Sequence, residues 1–345
     1  MTRGPVATAL FGSGSEQARS IYEQGVEICG RMPHSDPEKW FPLYWGWWFT
    51  TPDYGVYRER AEAVLAFAGQ APDPEIRLQA LHCAWATDFN TGQHVDCLCR
   101  VERGLALYDP KQAGASRARY GGHDAKVCGL AQRGLSSWFL GDAKTARESV
   151  DAALAWAEKI DHRGSLCHAL DFATVLRRYE GDPAGALAFA DRLGEIADQH
   201  GLPSVKAKSR IFRGWARAHL GALEEGLQEL EAGLAQQREI DTPEDFPVYI
   251  EMQAELLGMS GQNAAGSALI GEKIERAERM GHVFWVPELY RRRALLRHAA
   301  GEDEAAWRED LACAIRTAER NGAAMLVARA RADLAGVAGE IGRTT

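Results

Sequence analysis

Hydrophobic and polar positions along this chain follow the spacing of amphipathic helices, and short polar turns separate one helix from the next. Glycines mark these turns at an interval of about 40 residues, at Gly141, Gly181, Gly221, Gly261 and Gly301. Such an interval is typical of stacked helical hairpins, in which each unit buries its apolar face against its neighbours. The pattern therefore predicts an all-α protein built as a solenoid of helical hairpins.

Small residues recur at two fixed distances from the turn glycines, seven positions before and five positions after. The earlier set is Gly134, Thr174, Gly214, Ala254 and Ala294, and the later set is Ala146, Ala186, Gly226, Gly266 and Ala306. Two helices approach closely only where one presents a small side chain to the other. We therefore interpret these positions as the crossing points of tight hairpins.

The small residues around each turn resemble the tetratricopeptide repeat over roughly residues 124–321. This resemblance implies a right-handed superhelix of about seven helical pairs, whose first helices line a concave groove. Longer segments, such as FPLYWGWWF and FWVPELYRRRALL, are similar to the C-terminal helical-repeat region of bacterial regulators that join a nucleotide cyclase or DNA-binding domain to a signal-transduction ATPase. The ATPase phosphate-loop motif is absent from the chain, so the likeness implies a sensor or scaffold role.

The repeats divide the chain into one solenoid and two tails. Residues 1–20 are predicted to form a flexible N-terminal tail, residues 21–335 a single helical-repeat solenoid, and residues 336–345 a C-terminal tail of small and polar residues. An irregular connection at residues 107–123 interrupts the repeats.

Charge and cysteine content exclude several classes of protein. Acidic and basic side chains, 48 and 40 in number, are mixed along the chain and give a net charge of −8, which predicts no nucleic-acid partner. The triplet Arg291–Arg293 is accordingly interpreted as a solvated helix face. Seven cysteines without a framework spacing indicate a reducing, cytoplasmic location. The apolar runs are too short for a membrane role.

A stripe of polar side chains is expected on the first helix of successive pairs, ten and thirteen positions before each turn glycine. Because buried helix faces seldom carry charged residues in a row, this stripe is predicted to line the groove and meet a peptide, a small-molecule ligand or a partner protein. The candidate ligand-binding residues are Trp45, Trp48, His82, Cys128, His168, Asp171, Lys208, Glu251, Glu288 and Arg291.

Three groups among these candidates have a structural alternative. His82 and His168, each a lone histidine on its helix, are interpreted in preference as hydrogen-bonded structural histidines. Trp45 and Trp48 belong to the aromatic segment WFPLYWGWWF, which is either a stacking platform for a ligand or, as we favour, part of the core. Glu288 and Arg291 stand three residues apart, the spacing of an ion pair on one helix.

The sequence contains no standard catalytic signature, so the favoured function is a non-enzymatic binding module, a regulator or scaffold. The alternative is an enzyme, metal-assisted in one version, built from His82, His123, Asp124 and His168. No cofactor is predicted, although the same four residues are candidate ligands for a transition metal. Because His82 and His168 belong to helices two units apart, any ion is expected to use His123 or Asp124 with one of the others. Asp124 has a simpler alternative role as a helix N-cap.

Overall fold

The computed structural model describes residues 15–32, 36–51, 54–69, 71–240 and 246–344, which form helices joined by turns and contain no strand. Within these ranges no helix is both long enough and apolar enough to cross a bilayer. The helices are α1 Glu16–Gly30, α2 Pro37–Phe49, α3 Tyr54–Ala68, α4 Pro74–Asn90, α5 His94–Leu105, α6 Ala113–Arg119, α7 Ala125–Phe139, α8 Ala143–Lys159, α9 Arg163–Glu180, α10 Pro183–His200, α11 Pro203–His219, α12 Leu223–Ile240, α13 Phe246–Met259, α14 Asn263–Met280, α15 Val286–Ala299, α16 Glu304–Arg320 and α17 Ala324–Thr344.

Most of these helices pair as antiparallel hairpins, which confirms the predicted all-α, tetratricopeptide-like solenoid. Among the described residues the pairs are α2–α3, α4–α5, α7–α8, α9–α10, α11–α12, α13–α14 and α15–α16. The short helix α6 lies inside the predicted irregular connection, which otherwise consists of turns. The hairpin is therefore the repeating unit on both sides of that connection.

The two ends of the solenoid differ from the predicted boundaries. Helix α1 begins at Glu16, because the Ser15 hydroxyl caps it by accepting a hydrogen bond from the backbone nitrogen of Ala18 at 3.3 Å. Residues 16–20 are therefore helical, and residues 1–14 of the predicted tail lie outside the described part. At the other end α17 continues to Thr344, so no element boundary occurs at residue 336.

The hairpin crossings occur where the small residues predict them. A Cβ atom added at Gly214 would lie 2.5 Å from the carbonyl oxygen of Gly226, and one added at Gly226 would lie 2.5 Å from the carbonyl oxygen of Gly214. At the equivalent crossings, added Cβ atoms at Gly134 and Gly266 would lie 2.9 Å from backbone oxygens of the opposite helix. The backbones of the paired helices are thus in direct contact.

The solenoid closes on itself through the segment between α14 and α15. Phe284 contacts Phe89 of α4 with ring centroids 5.3 Å apart, and Trp285 stacks on Tyr179 of α9 at 4.4 Å. Farther along, the Arg329 guanidinium of α17 donates a hydrogen bond to the Tyr179 carbonyl oxygen. The last repeats therefore fill the middle of the concave face formed by the earlier ones.

His94 is a core histidine at the start of α5. It is 1% exposed, and its ring stacks on Phe139 at 4.3 Å with an angle of 9° between the planes. Burial lowers the pKa of His94 from 6.5 to about 3. The folded protein therefore holds this imidazole neutral at a pH where the unfolded chain protonates it.

We expect Gly214→Ala to destabilise the protein by about 1–3 kcal/mol, because the new methyl group must push apart two helix backbones. Gly271→Ala is the matched control: it also replaces a helical glycine, but its Cβ would meet only the end of the Arg293 side chain at 3.6 Å. The control should be neutral or slightly stabilising. Urea unfolding of both variants measures the difference, and equal midpoints would contradict the crossing geometry.

We also expect His94→Phe to reduce the loss of stability in acid. A histidine with a lowered folded pKa contributes stability above its unfolded pKa, and loses it as the pH falls toward the folded value. When the pH falls from about 6.5 to about 5, the free energy of unfolding of the parent should decrease by about 2 kcal/mol more than that of the variant. Urea unfolding across this range gives the two curves. Phe89→Leu, a non-titrating core change, should shift the curve without altering its slope.

Candidate functional site

The predicted polar stripe lies on the inner face of the first helices, but most of it is buried. His82, Cys128, Glu251 and Glu288 are each 4% exposed or less, although we predicted that they line an open groove. The reason is that the superhelix closes, and that polar groups pair from one repeat to the next. Asp171 of α9 and Lys208 of α11, for example, form an ion pair of 2.7 Å.

Two carboxylates of α13 sit at the centre of a buried ion-pair network. Arg292 of α15 donates to Glu251 at 2.8 Å and to Glu255 at 2.6 Å. Arg178 of α9 contacts the same two carboxylates from the other side. Although burial raises the pKa of Glu255, Arg292, His219 and Arg178 hold it well below its usual value. Glu251 and Glu255 therefore bind α9 and α15 to α13.

A second part of the network joins α15 to α17. Arg291 donates two hydrogen bonds to Glu288, at 2.6 and 2.9 Å, which supports the ion-pair interpretation of their spacing. Arg291 also pairs with Asp333, and Arg329 lies 3.2 Å from Glu288. Burial raises the pKa of Glu288, but Arg291 and Arg329 bring it down to about 2.

The arginine triplet is not a solvated face, contrary to our interpretation from the sequence. Arg291 pairs with Glu288, Arg292 with Glu251, and Arg293 donates to Asp310 of α16 at 2.8 Å. Consecutive residues on a helix point in different directions, so the three guanidinium groups reach three different neighbours. Buried carboxylates hold all three, and those of Glu251 and Asp310 lie on other helices, where the local sequence does not reveal them.

A cavity of about 340 Å³ opens beside this network on the inner face. Its walls include Arg178, Trp215, His219, Arg292, Arg329 and Asp333, which come from α9, α11, α15 and α17. Arg178 lies over two rings, 5.3 Å from the Trp215 centroid and 5.7 Å from the Trp285 centroid. Two larger clefts, between α3, α4 and α5 and between α14, α15 and α16, involve helices adjacent in the chain.

The sequence identified only part of this cavity. Glu288 and Arg291 line it, and Glu251 touches two of its arginines. The other lining residues were not among the candidates, and they include Arg178, Trp215, Glu255 and Arg329. The available signal was helical spacing, since Glu255 follows Glu251 by four positions and Arg178 follows Asp171 by seven.

The two candidate tryptophans lie in the core. Trp48 is 4% exposed, and its indole nitrogen donates to the Thr87 hydroxyl at 2.8 Å. Trp45 is 7% exposed and stacks on Phe49 at 4.9 Å. Both side chains therefore pack as the core alternative predicts.

The irregular connection brings three histidines from separate segments together. Gly121 and Gly122 have φ angles of 79° and 72°, a conformation that glycine adopts without strain, and they direct His123 inward. The His123 ring then lies 5.2 Å from the His82 ring and stacks parallel on His168 at 4.2 Å. The thiol of Cys128, on the first turn of α7, completes the group. We refer to His82, His123, Cys128 and His168 as the histidine cluster.

Asp124 does not belong to this cluster, although the sequence offered it as a catalytic or metal-binding carboxylate. Its side chain is fully buried and caps α7, with Oδ1 accepting from the backbone nitrogens of Lys126 and Val127. The other oxygen accepts from the Tyr108 hydroxyl at 2.9 Å and from Arg117 at 3.0 Å. Both oxygens are thus committed to holding the irregular connection on α7.

Comparison with known proteins gives one relative and several structures of similar fold. No protein-family model matches the chain. The chain is 41% identical over 340 residues to an uncharacterized protein of Rhizobium meliloti (strain 1021), a match that covers 99% of this chain and 33% of that protein. The chain therefore spans about a third of the length of this relative.

Two solved structures of the quorum sensor NprR resemble the chain. NprR in complex with its cognate peptide NprX superposes with a TM-score of 0.58 at 15% identity, covering 86% of this chain and 82% of NprR. The apo form of NprR from B. thuringiensis gives a TM-score of 0.54 at 16% identity, covering 95% and 89%. At this identity the likeness concerns the fold alone.

We expect Asp124→Asn to destabilise the protein by about 1.5–3 kcal/mol, because it removes a fully buried carboxylate that accepts hydrogen bonds from the partly buried Arg117 guanidinium and from the Tyr108 hydroxyl. Asparagine caps a helix as well as aspartate does, so loss of the cap does not contribute. Asp142→Asn is the matched control, since Asp142 is an exposed N-cap of α8 and should tolerate the change. Chemical denaturation of both variants measures the effect. Equal stability of the two would contradict the assigned role of the Arg117 pair.

Proposed function

We propose that this chain is a tetratricopeptide-type binding module that takes a peptide or a small charged ligand in the cavity beside the ion-pair network. The observation that carries this proposal is the convergence of Arg178, Arg292 and Arg329 from three distant helices on one opening. A guanidinium presents a rigid set of donors that matches a carboxylate. The volume of about 340 Å³ lies within the range of ligand pockets and suits the end of a peptide.

The Arg329 guanidinium is the group that could take an anionic group of a ligand in this cavity. Burial lowers the pKa of Arg329, although its neighbour Glu288 acts in the opposite direction. Burial thus makes the charged form of Arg329 costly, and one carboxylate at 3.2 Å offsets that cost in part. A carboxylate from a ligand, such as a peptide C-terminus or an acidic side chain, would supply the missing compensation. The Trp215 ring beside it offers an apolar surface for an adjoining side chain.

The comparisons support a regulatory role without assigning one. NprR, whose fold is similar, is a quorum sensor and binds the peptide NprX. The Rhizobium relative is about three times as long as the match, as expected if the helical repeats serve a larger protein. We propose that the chain acts as the sensor region of such a regulator in the cytoplasm. The cyclase-ATPase class suggested by its sequence is our candidate.

Metal-assisted catalysis is the second candidate function, and the convergence of His82, His123 and Cys128 is the observation in its favour. Asp124 cannot serve as its general base, because both of its oxygens already accept hydrogen bonds. The enzyme proposal therefore requires an ion in the histidine cluster. It also requires a general base other than Asp124, supplied by the substrate or by a bound water.

Affinity selection from a pool of random short peptides with free C-termini tests the binding proposal. Peptides enriched on the protein should bind at least about 10-fold more weakly to Arg329→Gln, because a hydrogen bond to a charged group contributes about 1.5–3 kcal/mol. Arg331→Gln is the matched control, since Arg331 lies on the same helix but is exposed and pairs with Glu319. Thermal melting should verify that both variants are folded.

Two outcomes would contradict the proposal. One is the absence of any enriched peptide, and the other is equal affinity of the enriched peptides for the parent and for both variants. If affinity falls equally in both arginine variants, peptide binding depends on net charge and does not involve the cavity.

A further inference from the structure

The two histidines His82 and His123 face each other with unprotonated nitrogens. Their Nε2 atoms are 3.4 Å apart. The Nδ1 atom of His123 lies 3.0 Å from the Gly121 carbonyl oxygen, which can only accept, so Nδ1 carries the proton. A neutral imidazole has one N–H group, and the Nε2 of His123 therefore presents a lone pair.

The same argument fixes the tautomer of His82. Its Nδ1 atom lies 3.1 Å from the Oε1 atom of Gln79. The orientation of that amide is set by its other end, where Nε2 donates to Glu75 at 2.9 Å. Nδ1 of His82 therefore donates to the amide oxygen, and its Nε2 atom also presents a lone pair.

Two lone pairs at this distance repel each other unless a cation lies between them. A shared proton fits the geometry poorly, because a hydrogen bond through a nitrogen donor is ordinarily about 2.7–3.2 Å long and these two nitrogens are 3.4 Å apart. A metal ion suits the arrangement better. Two nitrogens bound at about 2.0–2.1 Å to a tetrahedral ion are about 3.4 Å apart. In both histidines the Nδ1–H group donates to a carbonyl oxygen, which is typical of histidines that bind a metal through Nε2.

Cys128 supplies a third ligand atom. Its Sγ atom and one ring nitrogen from each of the two histidines all lie within 4.8 Å of one another, and the Cys128 side chain is 2% exposed. In a tetrahedral site the sulfur and each nitrogen would be about 3.6 Å apart, so small side-chain rotations suffice to close the site. Burial raises the pKa of the Cys128 thiol to about 12. An ion must therefore displace its proton, and affinity should rise with pH.

We propose that Nε2 of His82, Nε2 of His123 and Sγ of Cys128 bind one transition-metal ion, with Zn²⁺ the best match to two imidazoles and one thiolate. On binding, the Cys128 thiol loses its proton to solvent and the S–H bond is replaced by an S–metal bond. Three protein ligands leave a fourth position for water or for a ligand. This set differs from the one expected from the sequence, because Asp124 is committed elsewhere.

His168 has a different role from the other members of the histidine cluster. Its ring lies parallel to that of His123, with 2° between the planes, so it presents its face to the ligand ring. It therefore supports the orientation of His123 and does not coordinate the ion. The site connects α4, the irregular connection and α7, and it is separate from the arginine cavity.

Titration of metal-free protein, prepared without a histidine tag, tests the site with Co²⁺ as the probe and Zn²⁺ as its competitor. We expect one equivalent of Co²⁺, the strong visible bands of a tetrahedral complex and a thiolate-to-cobalt charge-transfer band. Cys128→Ser should abolish the charge-transfer band and weaken Zn²⁺ binding at least about 100-fold, more than is typical for loss of an outer partner. Cys167→Ser, at a buried cysteine of α9 outside the site, should change neither.

X-ray absorption of the Zn²⁺-loaded parent protein avoids the risk that a variant fails to fold. Two nitrogens at about 2.0–2.1 Å and one sulfur at about 2.3 Å are expected around the ion. The proposal fails if the parent binds no stoichiometric ion, if the shell contains no sulfur, or if Cys128→Ser binds as tightly as the parent. His168→Gln should retain the full equivalent, and loss of the ion in that variant would refute the three-ligand assignment. None of these outcomes bears on peptide binding to the cavity.

Discussion

Closure of the superhelix depends on the pairing of buried charges. Glu251 and Glu288 are almost fully buried, and a buried carboxylate without a cation costs several kcal/mol. The cations come from other repeats: Arg178 reaches Glu251 from α9, and Arg329 reaches Glu288 from α17. Helices α9, α13, α15 and α17 thus each carry a charged side chain whose partner lies on another of these helices. The pairing offsets the cost of burying these carboxylates, so each can be buried in the closed form only with its cation in place.

This construction explains why the cavity and the structural network share the same side chains. An anionic ligand that contacts Arg329 competes with Glu288 for the same guanidinium, and so it also changes the contact between α17 and α15. The free energy of ligand binding would then be linked to the free energy of the contact between α15 and α17. A ligand shifts a conformational equilibrium by the difference in its affinity for the two conformations. Arg329 also holds the Tyr179 carbonyl of α9, so the link extends to the middle of the chain.

Local features of the fold could be predicted from the sequence, but long-range ones could not. Glycine spacing and small residues indicated the hairpins and their crossings, because both depend on residues close in the chain, as at Gly214 and Gly226. The closure depends on pairs such as Phe89 with Phe284, which are remote in sequence and carry no periodic signal. That is why the polar stripe was expected to be open and is instead largely buried.

The candidate sites show the same division. The sequence indicated His82 and His123 as chemically capable residues, but the relative orientation of their rings depends on two glycines with positive φ and on the Gln79 amide. Asp124 is assigned to the N-cap by its contacts with the backbone nitrogens of Lys126 and Val127, and contacts with Arg117 and Tyr108 occupy its other oxygen. Residue type and spacing thus identified the groups, whereas burial and hydrogen bonding assigned their roles.

Helix α9 connects the two candidate sites. His168, in its first half, stacks on His123, and Arg178, in its last turn, joins the network around Glu251. Asp171 lies between them on the same helix and pairs with Lys208 of the next repeat. A helix rises about 1.5 Å per residue, so His168 and Arg178 lie about 15 Å apart along one continuous element. Occupancy of the histidine cluster and of the cavity would therefore act on one and the same element.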